Sequence, residues 1–348
     1  MSEKSGGLAV CVATIRPDEI ARYLCQWAPL LAAQFGRSGI SRVAFFIHED
    51  SPERRFTAPE PSPARVVHTC HRDIREVLGV ASWIIPKGSG ASRSFPMYLA
   101  WREGFEYVVT MDDDCFPPDD EPESFFDNHL RAFRLDRWFR TIGGEEPRGV
   151  PYGNKGSLPV LLNHGLWTGI PDFDGPTALV RSRWPMSVVL RKGIEVIPPG
   201  MWFTLCAMNV CYHRRAIPAA YNLLMGVETA GFDRFDDIWS GLFLKKIADD
   251  LGFYVTNGGP FVRHLKASNP FSNLCKESLG IALHEEFWQH VSTARLEKCE
   301  SVTQAYTNLA AWVRQFPKRS PKAPAKPGYF ERLAEAMAVW ASLFGASE

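Results

Sequence analysis

Short apolar runs alternate with helical patterns over the first 111 residues, and this alternation constrains the fold more than any other feature. The strand-like runs fall at 8–14, 43–47, 64–68 and 107–111. Strands that alternate with helices favour a parallel sheet covered by those helices. We therefore predict an α/β fold with a mainly parallel central sheet flanked by helices. In such sheets, ligands bind outside the carboxyl ends of the strands.

The rest of the chain is less regular. Residues 143–199 are rich in Gly and Pro, which predicts a loop-rich middle segment with short strands. Loops of this length inside a compact chain are usually functional or mobile. The patterns that follow predict a strand at 203–210, a helix at 237–251, a strand at 253–256 and helical structure from 277 to about 315.

A segment rich in Pro and Lys, residues 317–328, predicts an extended linker near the end of the chain. An amphipathic helical pattern follows at 329–344 and can pack on the body of the protein or on a partner chain. We therefore predict a main domain over 1–292 and a helical C-terminal extension over 293–348.

Composition excludes several classes of protein. Lys plus Arg equals Asp plus Glu at 39 each, so no basic field points to nucleic acid. No apolar run approaches about 18 residues, so we expect no membrane span. The first residues lack a signal-peptide cleavage pattern. The eight cysteines include no C-x-x-C pair, which disfavours a structural zinc site and favours a reducing, cytoplasmic environment.

Three consecutive carboxylates, Asp112, Asp113 and Asp114, follow the strand-like run at 107–111. Adjacent like charges at a strand end are costly unless a positive group lies beside them. A divalent cation that holds a diphosphate would supply that charge, since Mg²⁺ and Mn²⁺ prefer oxygen ligands shared with substrate phosphates. The simpler alternative is a turn with solvated Asp side chains.

Further polar clusters lie later in the chain. Asp236 and Asp237 stand at a predicted helix start, where they either cap the helix or face a sugar as base or hydroxyl ligand. His264 is a candidate third metal ligand and Lys266 a candidate phosphate contact, although a lone His is more often hydrogen-bonded structure. His164 lies in an aromatic segment that suits either a sugar surface or a core.

Several of these segments together resemble one family, the reversibly glycosylated polypeptides of plants, which act as UDP-arabinopyranose mutases. The resemblance covers most of residues 8 to 290. The segments that carry it are VATIRP (12–17), YVVTMDDDCF (107–116), NHGLWTGIPDFDGPTALV (163–180), CAMNVCYHR (206–214), RFDDIWSG (234–241) and RHLKASNPFSNL (263–274).

The resemblance implies a GT-A-like glycosyltransferase fold over 1–292 that binds a UDP-sugar through Mn²⁺ or Mg²⁺. The trio then corresponds to a DxD-type motif, with Asp112 toward the ribose or the metal, Asp114 as direct ligand and His264 as a further ligand. Asp236 or Asp237 is implied to lie near the sugar. The residues implied to contact the nucleotide are Thr14, Arg16 and Asp50 at the uridine, with Lys87, Arg93, Asp112 and Asp113.

The chain departs from the family at one position. Family members become glycosylated on an arginine, and the corresponding position here is Lys155. Lys offers a point charge where Arg offers a planar fork. Lys155 can neutralise a diphosphate, or act as a nucleophile if its ammonium loses a proton.

Three functions therefore stay open. The first is a metal-dependent mutase that interconverts the pyranose and furanose forms of a UDP-pentose, with Asp236, Asp237, Lys155 and His164 as catalytic candidates. The second is a glycosyltransferase that moves the sugar to a small-molecule or protein acceptor. The third is a non-catalytic scaffold subunit that binds UDP-sugars. Family members associate, so we also expect a homo- or hetero-oligomer.

Overall fold

A nine-stranded mixed sheet forms the centre of the fold. The computed structural model describes residues 6–57, 64–141, 144–181, 193–226, 231–265, 268–318 and 328–345. The strands in these residues are β1 (Gly6–Thr14), β2 (Ile40–Glu49), β3 (Arg65–Thr69), β4 (Tyr107–Met111), β5 (Cys115–Phe116), β6 (Val160–Gly169), β7 (Ile194–Ile197), β8 (Asn209–His213) and β9 (Tyr254–His264). Their order is β3-β2-β1-β4-β8-β6-β9-β5, and β7 pairs with β9.

Helices cover both faces of this sheet. Within the described part of the chain they are α1 (Pro17–Ala32), α2 (His71–Leu78), α3 (Ser94–Arg102), α4 (Phe125–Ala132), α5 (Gly175–Arg181), α6 (Asp236–Asp250), α7 (Pro270–Ser292), α8 (Val302–Val313) and α9 (Tyr329–Ser342). Among the described residues, no helix is both long enough and apolar enough to cross a bilayer.

The N-terminal half of the sheet confirms the prediction from strand and helix alternation. β1 runs parallel to both β2 and β4, and β2 runs parallel to β3. Helix α1 connects β1 to β2 in the chain. Its apolar face is buried, and Ile20, Tyr23 and Trp27 are fully enclosed. The carboxyl ends of β1, β2 and β4 therefore meet at one edge of the sheet.

The second half of the sheet is mixed, because β8 runs antiparallel to β4 and β6, whereas β6 and β9 are parallel. Strand β6 is longer than the short strands predicted for the loop-rich middle segment, since it spans ten residues and lies within the sheet. Polar residues within β6 interrupt the apolar run from which a longer strand would have been predicted. Asn163 donates to His129 Nδ1 at 2.9 Å, and His129 Nε2 in turn donates to Asn209 Oδ1 at 2.9 Å, so this buried polar set is satisfied.

The strand predicted at 203–210 begins only at Asn209, which is a correction. Residues 203–208 leave the sheet and line a cleft instead. Their apolar side chains gave a strand-like pattern, but the Ala207 backbone N–H donates to the Asp237 carboxylate at 3.0 Å rather than to a neighbouring strand. Helix α7 also starts earlier than the predicted 277, because Asn269 caps it by accepting from the backbone N–H groups of residues 271 and 272.

The C-terminal helices pack on the body of the protein. Helices α8 and α9 contribute to the same hydrophobic core as α3 and α6. Trp340 of α9 stacks on Tyr221 with ring centroids 5.3 Å apart, and the Tyr329 hydroxyl donates to the Leu224 carbonyl at 3.2 Å. Most of the predicted linker, residues 319–327, lies outside the described residues, and a domain boundary near 292 stays a prediction.

Replacement of Trp340 by Ala tests this packing. The side chain is completely buried, so we expect the free energy of unfolding to fall by about 3–5 kcal/mol through lost apolar contacts and a cavity. Glu335→Ala on the exposed face of the same helix is the control, expected to change stability by less than about 0.5 kcal/mol. Equal effects of the two variants in urea denaturation would contradict a shared core.

Candidate functional site

A cleft of about 840 Å³, lined by both charged and apolar side chains, opens at the carboxyl ends of β1 and β4. The start of α6 and parts of β6 and β9 form its other walls. Ligand pockets of about 300–1,000 Å³ are usual for small molecules. Eleven of the residues predicted from sequence line this cleft, namely Thr14, Arg16, Asp50, Arg93, Asp112, Asp113, Asp114, His164, Asp236, Asp237 and His264.

Arginine side chains balance the three adjacent carboxylates. Arg93 donates through Nε and Nη2 to Asp112, at 3.1 and 2.9 Å to Oδ1. Arg16 binds both oxygens of Asp113 and reaches Asp114 Oδ2 at 2.9 Å. The charge of Asp112 raises the pKa of Arg93, so this guanidinium stays charged. The positive groups that the trio requires are therefore present in the chain itself.

A two-stranded contact brings Asp114 beside His264. Strand β5 pairs antiparallel with β9, with Cys115 opposite His264, and the backbone N–H of Leu265 donates to the Asp114 carbonyl at 3.4 Å. His264 Nδ1 lies 2.8 Å from the Ile170 carbonyl, so this nitrogen carries the proton. The lone pair of Nε2 then faces Asp114 Oδ1 at 3.7 Å. An imidazole nitrogen and a carboxylate oxygen thus converge in the cleft.

Two further carboxylates line the cleft at the N-terminus of α6. Burial raises the pKa of Asp236, and burial together with the neighbouring Asp236 charge raises the pKa of Asp237 to about 7. Asp237 accepts from the backbone N–H of Ala207, while Asp236 lies 4.0 Å from Arg93 Nη1. Gly90 permits this arrangement, because a Cβ at that position would overlap the Asp236 carboxyl group.

The remaining predicted residues have different positions. His164 lines the cleft but is almost completely buried. It accepts from the Cys206 N–H at 3.1 Å, and burial lowers its pKa to about 4. Lys87 is exposed beside the cleft, whereas its neighbour Gly88 lines the cleft and donates to Asp50 at 2.9 Å. Lys155 does not line the cleft, and its ammonium pairs with Glu146. Lys266 lies outside the described residues.

The cleft also contains charged groups for which no role is predicted from the sequence. Arg234 lines it with a left-handed backbone, φ 60°, and donates through Nε to buried Glu277 at 3.0 Å. A non-Gly residue with such a φ is uncommon and usually held by its surroundings. Asp172 accepts from the Cys206 thiol at 2.8 Å, and Lys276 lies nearby on α7. Arg234 lies two residues before Asp236. The sequence therefore indicates that its segment is functional but does not predict a role for Arg234 itself.

Fold and cleft together define a mixed α/β protein with a charged pocket at the strand ends. Comparison with known proteins gives the family. The family model described as reversibly glycosylated polypeptide matches residues 4–348, and the chain belongs to this family.

Curated relatives agree with that assignment. UDP-arabinopyranose mutase 1 of Arabidopsis thaliana is 31% identical, with 96% of this chain and 90% of the relative covered. Probable UDP-arabinopyranose mutase 2 of Solanum tuberosum is 33% identical over 84% of this chain and 81% of the relative. UDP-arabinopyranose mutase 3 of Arabidopsis thaliana is 34% identical over 77% and 75% respectively.

The raised pKa of Asp237 predicts a pH effect on stability. The folded protein keeps a proton on Asp237 between its ordinary pKa of 3.8 and about 7, whereas the unfolded chain does not. Stability therefore falls as pH rises through this window, since the folded state binds more protons than the unfolded state.

Asp237→Asn should remove part of this dependence. We expect the free energy of unfolding, measured in urea at pH 5 and pH 8, to fall less for the variant than for the parent protein. Asp119→Asn, which changes an exposed carboxylate, is the control and should keep the parent slope. Identical slopes in Asp237→Asn and the parent protein would show that Asp237 ionises normally.

Proposed function

We propose that this protein is a metal-dependent enzyme that interconverts the pyranose and furanose forms of a UDP-pentose, as the names of its relatives suggest. The observation that carries the proposal is the 3.7 Å approach of Asp114 and His264 in the cleft, beside Asp112 and Asp113, which are paired with arginines. Asp114 contacts Arg16 through Oδ2 only, so its Oδ1 and the His264 Nε2 can bind a common ligand. A non-catalytic scaffold would have no need of such a pair beside a carboxylic acid that titrates near neutrality.

The residues present fit a divalent cation of the Mn²⁺ or Mg²⁺ class. The fixed Nδ1 proton of His264 directs the Nε2 lone pair into the cleft, as second-shell hydrogen bonds do for metal ligands. Its 3.7 Å distance from Asp114 Oδ1 is compatible with one ion between them, because two metal–ligand bonds together span about 4.2 Å. Asp114 and His264 would hold the ion, with remaining positions taken by diphosphate oxygens and water.

A bound cation would stabilise charge on the UDP leaving group by Lewis acidity. Arg234 and Lys276 line the same cleft and supply positive charge for the diphosphate. We assign this role to them rather than to Lys155, whose ammonium pairs with Glu146 away from the cleft. Fixed charges of this kind stabilise UDP while the sugar is detached from it.

Asp237 is proposed to move the proton that ring exchange requires. Once UDP has left C1, the C4 hydroxyl oxygen bonds to C1 and loses its proton. The bond between C1 and the former ring oxygen then breaks as that oxygen gains a proton, and UDP bonds to C1 again. A carboxyl group with a pKa of about 7 can give and take a proton at neutral pH. Trp167, Phe173 and Phe203 line the cleft and supply apolar surface for sugar C–H groups, which helps to exclude water.

The proposal also covers the cellular location, the domain organisation and the association of the protein. We propose a cytoplasmic location, supported by eight cysteines that are all free thiols. Residues 1–292 would form the catalytic domain, and helices α8 and α9 would support α6 through their shared core. Association with further copies or related chains is proposed from the family alone.

Incubation with UDP-arabinopyranose and Mn²⁺, followed by NMR, tests the activity. We expect UDP-arabinofuranose to form without release of UDP, and chelation of the metal to stop the reaction. UDP release that depends on an added acceptor would instead identify a glycosyltransferase. Binding of UDP-sugars without any turnover would identify a scaffold, and both outcomes contradict the proposal.

Substitution of the metal pair should abolish most of this activity. Asp114→Asn and His264→Gln should each lower kcat/KM by about 100-fold or more, since a metal contributes several kcal/mol of charge stabilisation. Asp119→Asn, an exposed carboxylate outside the cleft, should retain parent activity. Full Mn²⁺-dependent activity in Asp114→Asn would exclude Asp114 as a ligand.

Asp237→Asn should lower kcat by about 100- to 10,000-fold with little change in KM, as expected for loss of a general acid–base group. The pH–rate profile of the parent protein should show an apparent pKa near 7 that the residual activity of the variant lacks. A large rise in KM with unchanged kcat would instead indicate that Asp237 only binds the sugar.

A further inference from the structure

Two histidines and a carboxylate lie together at the end of β2, apart from Asp114 and His264. His48 and Asp50 are two residues apart in sequence, and His71 opens α2. One ligand atom from each of the three lies within 4.8 Å of the others. Backbone bonds fix the surrounding segments, because the Asp50 N–H donates to the Thr14 carbonyl at 2.8 Å and the His71 N–H donates to the Ser51 carbonyl at 2.9 Å.

His48 presents an unused lone pair to this cluster. The Thr69 hydroxyl donates to the Ile47 carbonyl at 3.2 Å, so its oxygen accepts from His48 Nδ1, also 3.2 Å away. Nδ1 therefore carries the ring proton and Nε2 does not. The His48 side chain is fully buried, and its Nε2 makes no hydrogen bond to any described residue. Burial lowers the pKa of His48 to about 3, which keeps the ring neutral.

Buried polar nitrogens usually have partners, and an unpaired one costs about 1–3 kcal/mol. The His48 ring cannot turn away easily, because His71 packs edge-on at 5.3 Å and Phe95 at 5.5 Å between ring centroids. An orphaned, deprotonated imidazole nitrogen whose other nitrogen is held by a hydrogen bond is the arrangement of a metal-ligating histidine.

Asp50 and His71 complete the donor set. Asp50 Oδ1 lies 2.5 Å from His71 Nε2, a hydrogen bond in which one proton lies between the two atoms, and Asp50 Oδ2 accepts from the Gly88 N–H at 2.9 Å. Both side chains are only 8% exposed. A cation can take the place of that shared proton, and metal binding then releases it.

We propose that His48, Asp50 and His71 bind one transition-metal cation of the Zn²⁺ class, in a site separate from Asp114 and His264. Two imidazole nitrogens and one carboxylate oxygen suit Zn²⁺ and its neighbours, whereas Mg²⁺ and Mn²⁺ favour oxygen-rich sites. Three protein ligands leave a fourth position open, and Asp50 lines the cleft, so that position is reachable from the cleft.

Binding is measured on full-length protein in which Asp114→Asn and His264→Gln remove the other metal pair. Titration with Co²⁺, a Zn²⁺ substitute with a visible spectrum, should give one equivalent bound and a d–d absorption band. Adding His71→Gln or Asp50→Asn should weaken binding by at least about tenfold. His68→Gln is the matched control, because His68 lies on the adjacent strand β3 and faces Glu49 at 3.3 Å instead.

A second measurement needs no substitution of His48, Asp50 or His71. X-ray absorption of Zn²⁺ bound to the Asp114→Asn, His264→Gln protein should show two imidazole ligands and one carboxylate. The proposal would be overturned if no equivalent of metal bound, or if His71→Gln bound the metal as tightly as the protein without that substitution. It would also be overturned if X-ray absorption showed no imidazole among the metal ligands. These readouts do not involve mutase activity, so they separate this site from the proposed function.

Discussion

The pairing of Asp112 and Asp113 with two arginines is the interaction on which the cleft depends. Two unit charges about 4 Å apart at an effective dielectric of 20 interact by about 4 kcal/mol, so three bare carboxylates at one strand end would strain the fold. Arg93 binds Asp112 and approaches Asp236 at 4.0 Å, so it joins the end of β4 to the start of α6. Arg16, which follows the end of β1, likewise neutralises Asp113 by an ion pair.

The arginine contacts distinguish Asp112 and Asp113 from Asp114. Asp112 and Asp113 are held by arginines, and Thr14 also donates to Asp113. Asp114 shares Arg16 through one oxygen only and turns the other toward His264. The distinction follows from sheet register, since β5 pairs with β9 directly after the trio. Local sequence supplies the carboxylates, whereas a distant strand decides which of them has an imidazole partner.

The sequence predicted the parallel N-terminal half of the sheet well, because β1, β2 and β4 are apolar runs buried on both faces. It did not predict the length of β6, where Asn163, His164 and Gly165 interrupt the apolar pattern. Asn163 and His164 form hydrogen bonds with residues far away in the chain. The opposite difference occurs at residues 203–208, where an apolar run predicts a strand but the residues line the cleft.

The candidate site shows a similar division. Most of its acidic groups were recognisable from sequence because they follow strands or open a helix. The sequence does not predict their pairing with Arg16 and Arg93, because both arginines are expected to contact the nucleotide. Arg234 and the His48 cluster depend on backbone geometry and on a proton position, which no local pattern encodes. Lys155 is predicted only from its correspondence with the arginine position of the family, and no local pattern predicts the pairing of its ammonium with Glu146.

Anomalous scattering at the manganese edge, from crystals grown with UDP and Mn²⁺, tests most directly how the trio divides its roles. The expected result is a single manganese peak between Asp114 and His264 at the diphosphate, with Asp112 still paired to Arg93 and Asp113 to Arg16. A manganese ion bound by Asp112 and Asp113 with both arginines displaced, or one with no contact to His264, would contradict it.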